Sequence, residues 1–314
     1  MLKSETLGDG QAFLRSGRAS GGLLRDLLIL TKARVVSLLI FTAAVGEVLA
    51  PDVAQHWKAA LAGLIGVALA GAAGGVLNQI VEPSLDQHMA RTRRRPLVAG
   101  RINQGTAIGY AVALLGGGVA VLAVWTNLLT LALTLLGTVG YGIFYTLYLK
   151  PNTPWNIVWG GLAGALPPLI GWVAVTGQVD ALPLSLSLLI FIWTPAHFWP
   201  LAICHREDYA RACIPMLPVT HGVDRTRREV LRYALATWGV SLIPVLLTGD
   251  LMYGGVAWVA GAWYAGMARH LKQLPVGLEM DRYARRVFVA SISYLFLLFA
   301  ALLLGKMLTP GGTI

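Results

Sequence analysis

Asn78, Glu82 and Asp86 recur at steps of four within NQIVEPSLDQHMARTRRRP (78–96). On a helix, such steps keep side chains on one face, with about 6 Å of rise between them. Two carboxylates and an amide so arranged suit a hard cation such as Mg²⁺, which binds through one or two carboxylates together with substrate phosphates. Arg91, Arg93, Arg94 and Arg95 follow at once, and the guanidinium fork matches phosphate geometry. The chemistry suggested is the holding of a diphosphate. Pro83 cannot donate to Gln79 and disfavours helix at Glu82, so the helix should kink or end there. A broken helix end near a membrane interface is a common ion or phosphate site. The plainer reading is an acidic pair solvating a helix end; the regular spacing and the company of Asn78 favour the site.

A second constellation is YGIFYTLYLKPNTPWNIVWGG (141–161). Tyr141, Tyr145 and Tyr148 are expected to share a helix face that leads to Lys150. Rings there form either an interfacial belt or an aromatic wall beside a developing cation. Lys150 is an interfacial anchor or a second phosphate contact. Gly160, Gly161, Gly164 and Gly171 read as close helix packing. The third constellation is FIWTPAHFW (191–199), followed by Glu207-Asp208-Tyr209 and IPMLP (214–218). His197 is the histidine set well inside an apolar span, where ionisable residues are costly and usually functional. Imidazole is a standard haem-iron ligand. The competing reading is a neutral ring bonded to a neighbouring carbonyl, one freed by Pro195. Glu207 and Asp208 complete a metal site or balance Arg206 and Arg211.

These residues must be positioned by membrane helices. Of the 314 residues, 56% are hydrophobic and 13% charged, against about 25% charged in an ordinary soluble domain. So little charge cannot solvate globular surfaces. Apolar stretches at about 33–50, 57–80, 106–125, 127–148, 155–175, 182–203, 231–249, 251–270 and 286–306 predict nine transmembrane helices in an all-α fold. Twenty-three of the 25 Lys and Arg fall on one set of loops with the N-terminal segment, leaving Lys58 and Lys306 for the other. That asymmetry predicts a cytoplasmic N-terminus and a C-terminus outside. The net charge of +10 is spread over these loops, which argues against nucleic-acid binding. Residues 1–24 lack the apolar core of a cleavable signal peptide, so 1–25 reads as a flexible cytoplasmic tail and 26–314 as the membrane domain. Cys204 and Cys213 are too few for a disulfide framework.

The stretches 78–102, 145–172 and 191–222 resemble the protoheme IX farnesyltransferases (haem O synthases), a branch of the UbiA-type intramembrane prenyltransferases. The resemblance covers nearly the whole chain after residue 25. The first motif marks the superfamily; WTPAHFW and IPMLP are specific to the haem branch. It implies a nine-helix bundle around a pocket that opens toward the cytoplasm and sideways to lipid, in a bacterial inner membrane. It also implies transfer of a farnesyl group from farnesyl diphosphate to a vinyl group of haem b, with addition of water, and handover of haem O to a haem A synthase. Asn78, Glu82 and Asp86 then fall on the Mg²⁺–diphosphate motif, with Glu82 and Asp86 as metal ligands. Arg91 and Arg95 fall on its continuation and Lys150 on the basic residue after span four. Tyr145 flanks the reacting carbon, Asn156 belongs to the substrate site, and His197 and Asp208 fall on the haem-branch and second cytoplasmic motifs. Glu82 stands where many relatives have Asp, Cys213 where Gly is common, and Ala212 where aromatic-acceptor enzymes place a second aspartate. The last departure favours the haem branch. The rivals are a prenyltransferase for a quinone or chlorophyll-type acceptor, which needs no His197, and a non-enzymatic haem carrier, which needs no diphosphate site.

Overall fold

The computed structural model describes residues 22–89 and 92–308, and the described residues are helices joined mostly by short turns, with one longer connection between Asp86 and Gln104. In chain order the helices begin with α1 (Leu23–Leu30), α2 (Ala33–Leu49), α3 (Trp57–Val81), α4 (Pro83–Asp86), α5 (Gln104–Trp125) and α6 (Leu128–Val139). A π-helical segment, Gly140–Leu149, then leads to α7 (Lys150–Asn152), α8 (Asn156–Ala165), α9 (Pro167–Thr176) and α10 (Ala181–Cys204). The chain closes with α11 (Arg206–Arg211), α12 (Leu217–Thr220), α13 (Gly222–Val240), α14 (Ile243–Thr248), α15 (Leu251–Gln273) and α16 (Leu278–Leu308).

Seven helices among the described residues are long and apolar enough to cross a membrane, and the α1–α2 pair, bent by 54°, makes an eighth candidate. The ninth apolar stretch is helical as well, as α15. Four glycines, two tryptophans and two tyrosines lower its hydropathy below that of the others. Two helices reach further than the apolar pattern marks. Residues 222–230, read as loop, form the first turns of α13, and α16 begins at Leu278 rather than at 286. Charged residues hide these turns from a hydropathy reading yet support helix. Glu229 accepts from Arg225 at 2.8 Å and from Arg232 at 2.9 Å, pairs at the favoured i, i+4 and i, i+3 spacings.

The ends of the helices are set by local chemistry. Asn103, Asn127 and Asp250 cap α5, α6 and α15 through side-chain oxygens that accept from Thr106, Thr130 and Tyr253 backbone N–H groups. Such caps satisfy donors that have no partner within the helix. Asn127 also donates to the Val173 carbonyl at 2.7 Å, fastening the α5–α6 turn to α9.

Two groups of helices share the bundle. α3 packs against α5, α2, α9 and the π-helical segment, while α10 packs against α13, α16 and α8. Glycine permits the closest approaches in the first group: any Cβ on Gly171 would meet the Ala43 carbonyl, and one on Gly46 the Pro168 carbonyl. Gly161 lies against Thr194 and Gly160 against the Tyr145 ring. The packing expectation thus holds for Gly160, Gly161 and Gly171, but Gly164 faces open space, with nothing within 4 Å.

Candidate active site

α3 ends at Val81, and Glu82 takes a non-helical conformation (φ −101°, ψ 15°) before Pro83 opens α4. The break expected from Pro83 is there, yet it is shallow. Glu82 N still donates to the Asn78 carbonyl at 3.2 Å, and Asp86 N to the Glu82 carbonyl at 2.9 Å. The four-residue step therefore survives the break. Asn78, Glu82 and Asp86 are each 2% exposed, far more buried than a solvated helix end.

Buried carboxylates need partners, and distant parts of the chain supply them. Lys150 Nζ lies 2.6 Å from Glu82 Oε1. Arg95 donates to Asp86 Oδ2 at 2.5 Å, and the same nitrogen is 3.9 Å from Glu82 Oε2. Thr92 Oγ1 donates to the Asp86 carbonyl at 3.0 Å and holds the turn that carries Arg95. Arg91 lies outside the described residues. One nitrogen reaching both carboxylates shows that Glu82 and Asp86 converge on a single cation. Among the described residues no group of three or more His, Cys, Asp or Glu could hold a metal. Two carboxylates are nonetheless what Mg²⁺ asks for when substrate phosphate and water complete its shell, so the pair fits the ion.

The pattern of residues alone gave no sign of Lys32 here beyond its place among the basic residues flanking span one. It sits at the α1–α2 bend in a left-handed conformation (φ 53°). Its ammonium donates to Asn78 Oδ1 and, at 2.8 Å, to the Tyr141 hydroxyl. Gln79 steadies the bend by donating to the Leu30 carbonyl at 2.8 Å.

The segment that delivers Tyr141, Tyr145 and Lys150 is π-helical rather than α-helical over ten residues. π-helical turns are rare and frequent at functional sites. Thr146 Oγ1 donates to the Tyr141 carbonyl, five residues back, at 2.9 Å and accepts from Asn78 Nδ2 at 3.1 Å. The wider turn changes which tyrosines are neighbours. Tyr141 and Tyr145 stack with centroids 5.6 Å apart, whereas Tyr148 is 62% exposed and stacks with Phe144. The expected three-tyrosine face is a two-tyrosine face, because it assumed α-helical spacing. Asn156 is fully buried; it donates to the Thr153 carbonyl at 2.7 Å, and its Oδ1 has no hydrogen-bond partner.

His197 and Asp208 occupy other places. His197, half-buried on α10, pairs through Nδ1 with Ser291 Oγ at 2.6 Å and stacks on Trp193 and Phe288. The carbonyl partner considered for a neutral ring is present, but it comes from Phe288 on α16 rather than from a turn freed by Pro195, and the Ser291 hydroxyl lies beside it. Asp208 pairs with Arg211 and lies 3.7 Å from His205 Nδ1. It lines a polar recess of about 220 Å³ between α10, α11 and α16, with Arg206 and Asp281 across it at 2.7 Å. That bond to Asp281 raises the Arg206 guanidinium above its ordinary value. Cys213, in the turn after α11, is left-handed (φ 52°). Both cysteines are free thiols.

Residues 39–292 match the UbiA prenyltransferase family. A protoheme IX farnesyltransferase of Thioalkalivibrio sulfidiphilus (strain HL-EbGR7) is 48% identical over 93% of this chain and 96% of its own. The protein of that name from Alkalilimnicola ehrlichii (strain ATCC BAA-1101 / DSM 17681 / MLHE-1) is 46% identical over 90% of this chain and 93% of its own. Among solved structures, one described as digeranylgeranylglyceryl phosphate synthase aligns over 91% of this chain and 99% of its own, at a TM-score of 0.75 and 16% identity. A UbiA homologue from Archaeoglobus fulgidus bound to DMAPP and Mg²⁺ aligns over 88% and 99%, at 0.65 and 17%. The fold and the extent of these matches give one conclusion: the chain belongs to the UbiA prenyltransferase family.

Proposed function

We propose that this protein transfers the farnesyl group of farnesyl diphosphate to a vinyl group of haem b, with addition of water, giving haem O and diphosphate. The observation that carries the reading is the buried Glu82–Asp86 pair converging on one cation, with Lys150 and Arg95 poised beside it. The relatives named protoheme IX farnesyltransferase, similar over nearly their full length, support the haem acceptor. A quinone prenyltransferase would have no use for His197 in its aromatic setting, and a haem carrier none for the carboxylate pair.

In this reading Glu82 and Asp86, with Asn78 beside them, would hold Mg²⁺, and the ion would supply positive charge to the diphosphate. Arg95 and Arg91, with Lys150, transfer their positive ends to the diphosphate, and Lys32 adds a fourth cationic group. Preorganised charge of this kind stabilises the leaving group as its bond to carbon lengthens. The allylic C–O bond breaks and its electron pair leaves with the diphosphate. The haem vinyl group then forms the new C–C bond, and water adds to the resulting cation with loss of one proton. The face of Tyr145 flanks the allylic cation. Asn156 orients substrate through its unpaired Oδ1, His197 holds the porphyrin through its iron, and Asp208 anchors the second motif near the substrate.

The chain is read as nine spans, the α1–α2 pair and α15 included, with residues 1–25 as a cytoplasmic tail and 26–314 as the membrane domain. The charge asymmetry supports a cytoplasmic site in a bacterial inner membrane, and a haem A synthase is the expected acceptor of the product. The test is incubation of the purified protein in detergent with haem b, farnesyl diphosphate and Mg²⁺, read by mass spectrometry. A haem heavier by one farnesyl group plus water, lost with EDTA, is the expected result; haem bound but unchanged would contradict it.

A further inference from the structure

The hydrogen bonds around His197 lead past its own side chain to the residue that holds it. Ser291 on α16 is fully buried, and its hydroxyl carries one proton and can also accept. Its Oγ lies 2.6 Å from the Phe288 carbonyl, which can only accept, so the hydroxyl proton is spent there. Toward His197 Nδ1, also at 2.6 Å, the Ser291 oxygen is therefore an acceptor, and the Phe288 carbonyl, which also bonds the ring, can only accept, so Nδ1 is the donor to this pair. A neutral imidazole has a single N–H. With that proton on Nδ1, Nε2 keeps its lone pair.

The same residue fixes the plane of the ring. Trp193 stacks on His197 with centroids 4.1 Å apart and planes 15° apart, and Phe288 stacks at 4.5 Å and 27°. Trp193 Nε1 donates to the Ser291 carbonyl at 3.0 Å. Ser291 thus holds His197 with its side chain and the tryptophan on that ring with its backbone. A histidine that ligates a metal ordinarily donates its other N–H to a fixed partner, which sets the tautomer and raises the basicity of the ligating nitrogen.

We infer that Ser291 is a positioning residue that sets His197 in the Nδ1–H tautomer, so that Nε2 donates its lone pair to the iron of bound haem. The inference rests on the reading of haem b as substrate. It is tested with the full-length protein in detergent and haem b alone, by Soret titration and by resonance Raman of the ferrous complex. The wild type should show an iron–histidine stretching band that His197→Ala abolishes. Ser291→Ala should move that band to lower frequency and weaken haem binding about tenfold, while Ser291→Thr restores both. Ser291→Cys keeps the volume with a poor acceptor and should also lower the band, which covers the case in which the alanine variant misfolds. An unshifted band in the alanine or cysteine variant overturns the role of Ser291. A band that persists in His197→Ala overturns the iron ligand and with it this inference. Wild-type protein that takes up no haem contradicts the reading of the substrate itself.

Discussion

Two acidic motifs end two long helices of this bundle, and they are built differently. At the end of α3 the carboxylates are almost wholly buried, and their partners come from the loop beyond α4 and from the end of the π-helical segment, 68 residues away. Lys32, 46 residues before Asn78, closes the same cluster from the α1–α2 bend. Beyond α10, Asp208 is only partly buried and finds Arg211 and His205 three residues away on either side. The Arg206–Asp281 pair and the Cys204 thiol, which donates to the Asp281 carbonyl at 3.2 Å, join that second recess to a distant helix. The first arrangement exists only when the fold brings its elements together, while most of the second forms within one helical turn. Convergent charge that is costly to bury without substrate supports the proposal that the first holds the diphosphate and the second lies beside it.

The largest effect expected is on the proposed metal-binding pair. Asp86→Asn should reduce turnover by about 10³-fold or more, measured by haem O formation, with a smaller loss of melting temperature than Lys150→Met because Arg95 keeps Glu82 at 3.9 Å. Lys150→Met should lower activity and also stability, by about 3 kcal/mol, because it leaves Glu82 buried without its closest cation; a denaturation midpoint in detergent reads this. Asp208→Asn should lower turnover only several-fold, because its charge partners are local and half-exposed. A loss as deep as that of Asp86→Asn would erase the contrast between the two motifs.

Much of the first motif was legible in the sequence. The step of four from Asn78 to Asp86, the break at Pro83 and the cationic company of Arg95 and Lys150 all follow from residue type and spacing. Lys32 did not, since a basic residue flanking a span looks like any membrane anchor until the bend places it. The π-helical segment was equally hidden. Its glycine, aromatic and β-branched residues carry no pattern that tells a π-helix from an α-helix, and its signature is a tertiary one, the Thr146 hydroxyl bonding five residues back while it accepts from Asn78. Tyr148 was grouped with Tyr141 and Tyr145 for that reason. The nine apolar stretches located the helices well, but the charged first turns of α13 and α16 fell outside them because hydropathy reports the lipid-facing part of a helix and not its full length.

Two smaller effects sharpen the picture away from the site. Glu47, buried in α2 against Gly63 and Gly171, has an Oε1 without a hydrogen-bond partner. Glu47→Met should therefore raise stability by about 1–3 kcal/mol, seen as a higher unfolding temperature with unchanged turnover. Cys213 occupies a left-handed turn where glycine carries no Cβ penalty, so Cys213→Gly should stabilise by about 1 kcal/mol in the same assay.

The most direct test of the central claim, that the diphosphate is held at the end of α3, is equilibrium binding of farnesyl diphosphate with Mg²⁺ to the purified protein in detergent. Wild type, Asp86→Asn and Asp208→Asn would be compared at one ionic strength. The account predicts that affinity falls at least tenfold in Asp86→Asn, that EDTA produces a similar loss in the wild type, and that Asp208→Asn changes affinity by a smaller factor. Wild-type affinity in Asp86→Asn, with the loss confined to Asp208→Asn, would move the diphosphate to the other recess and contradict the account.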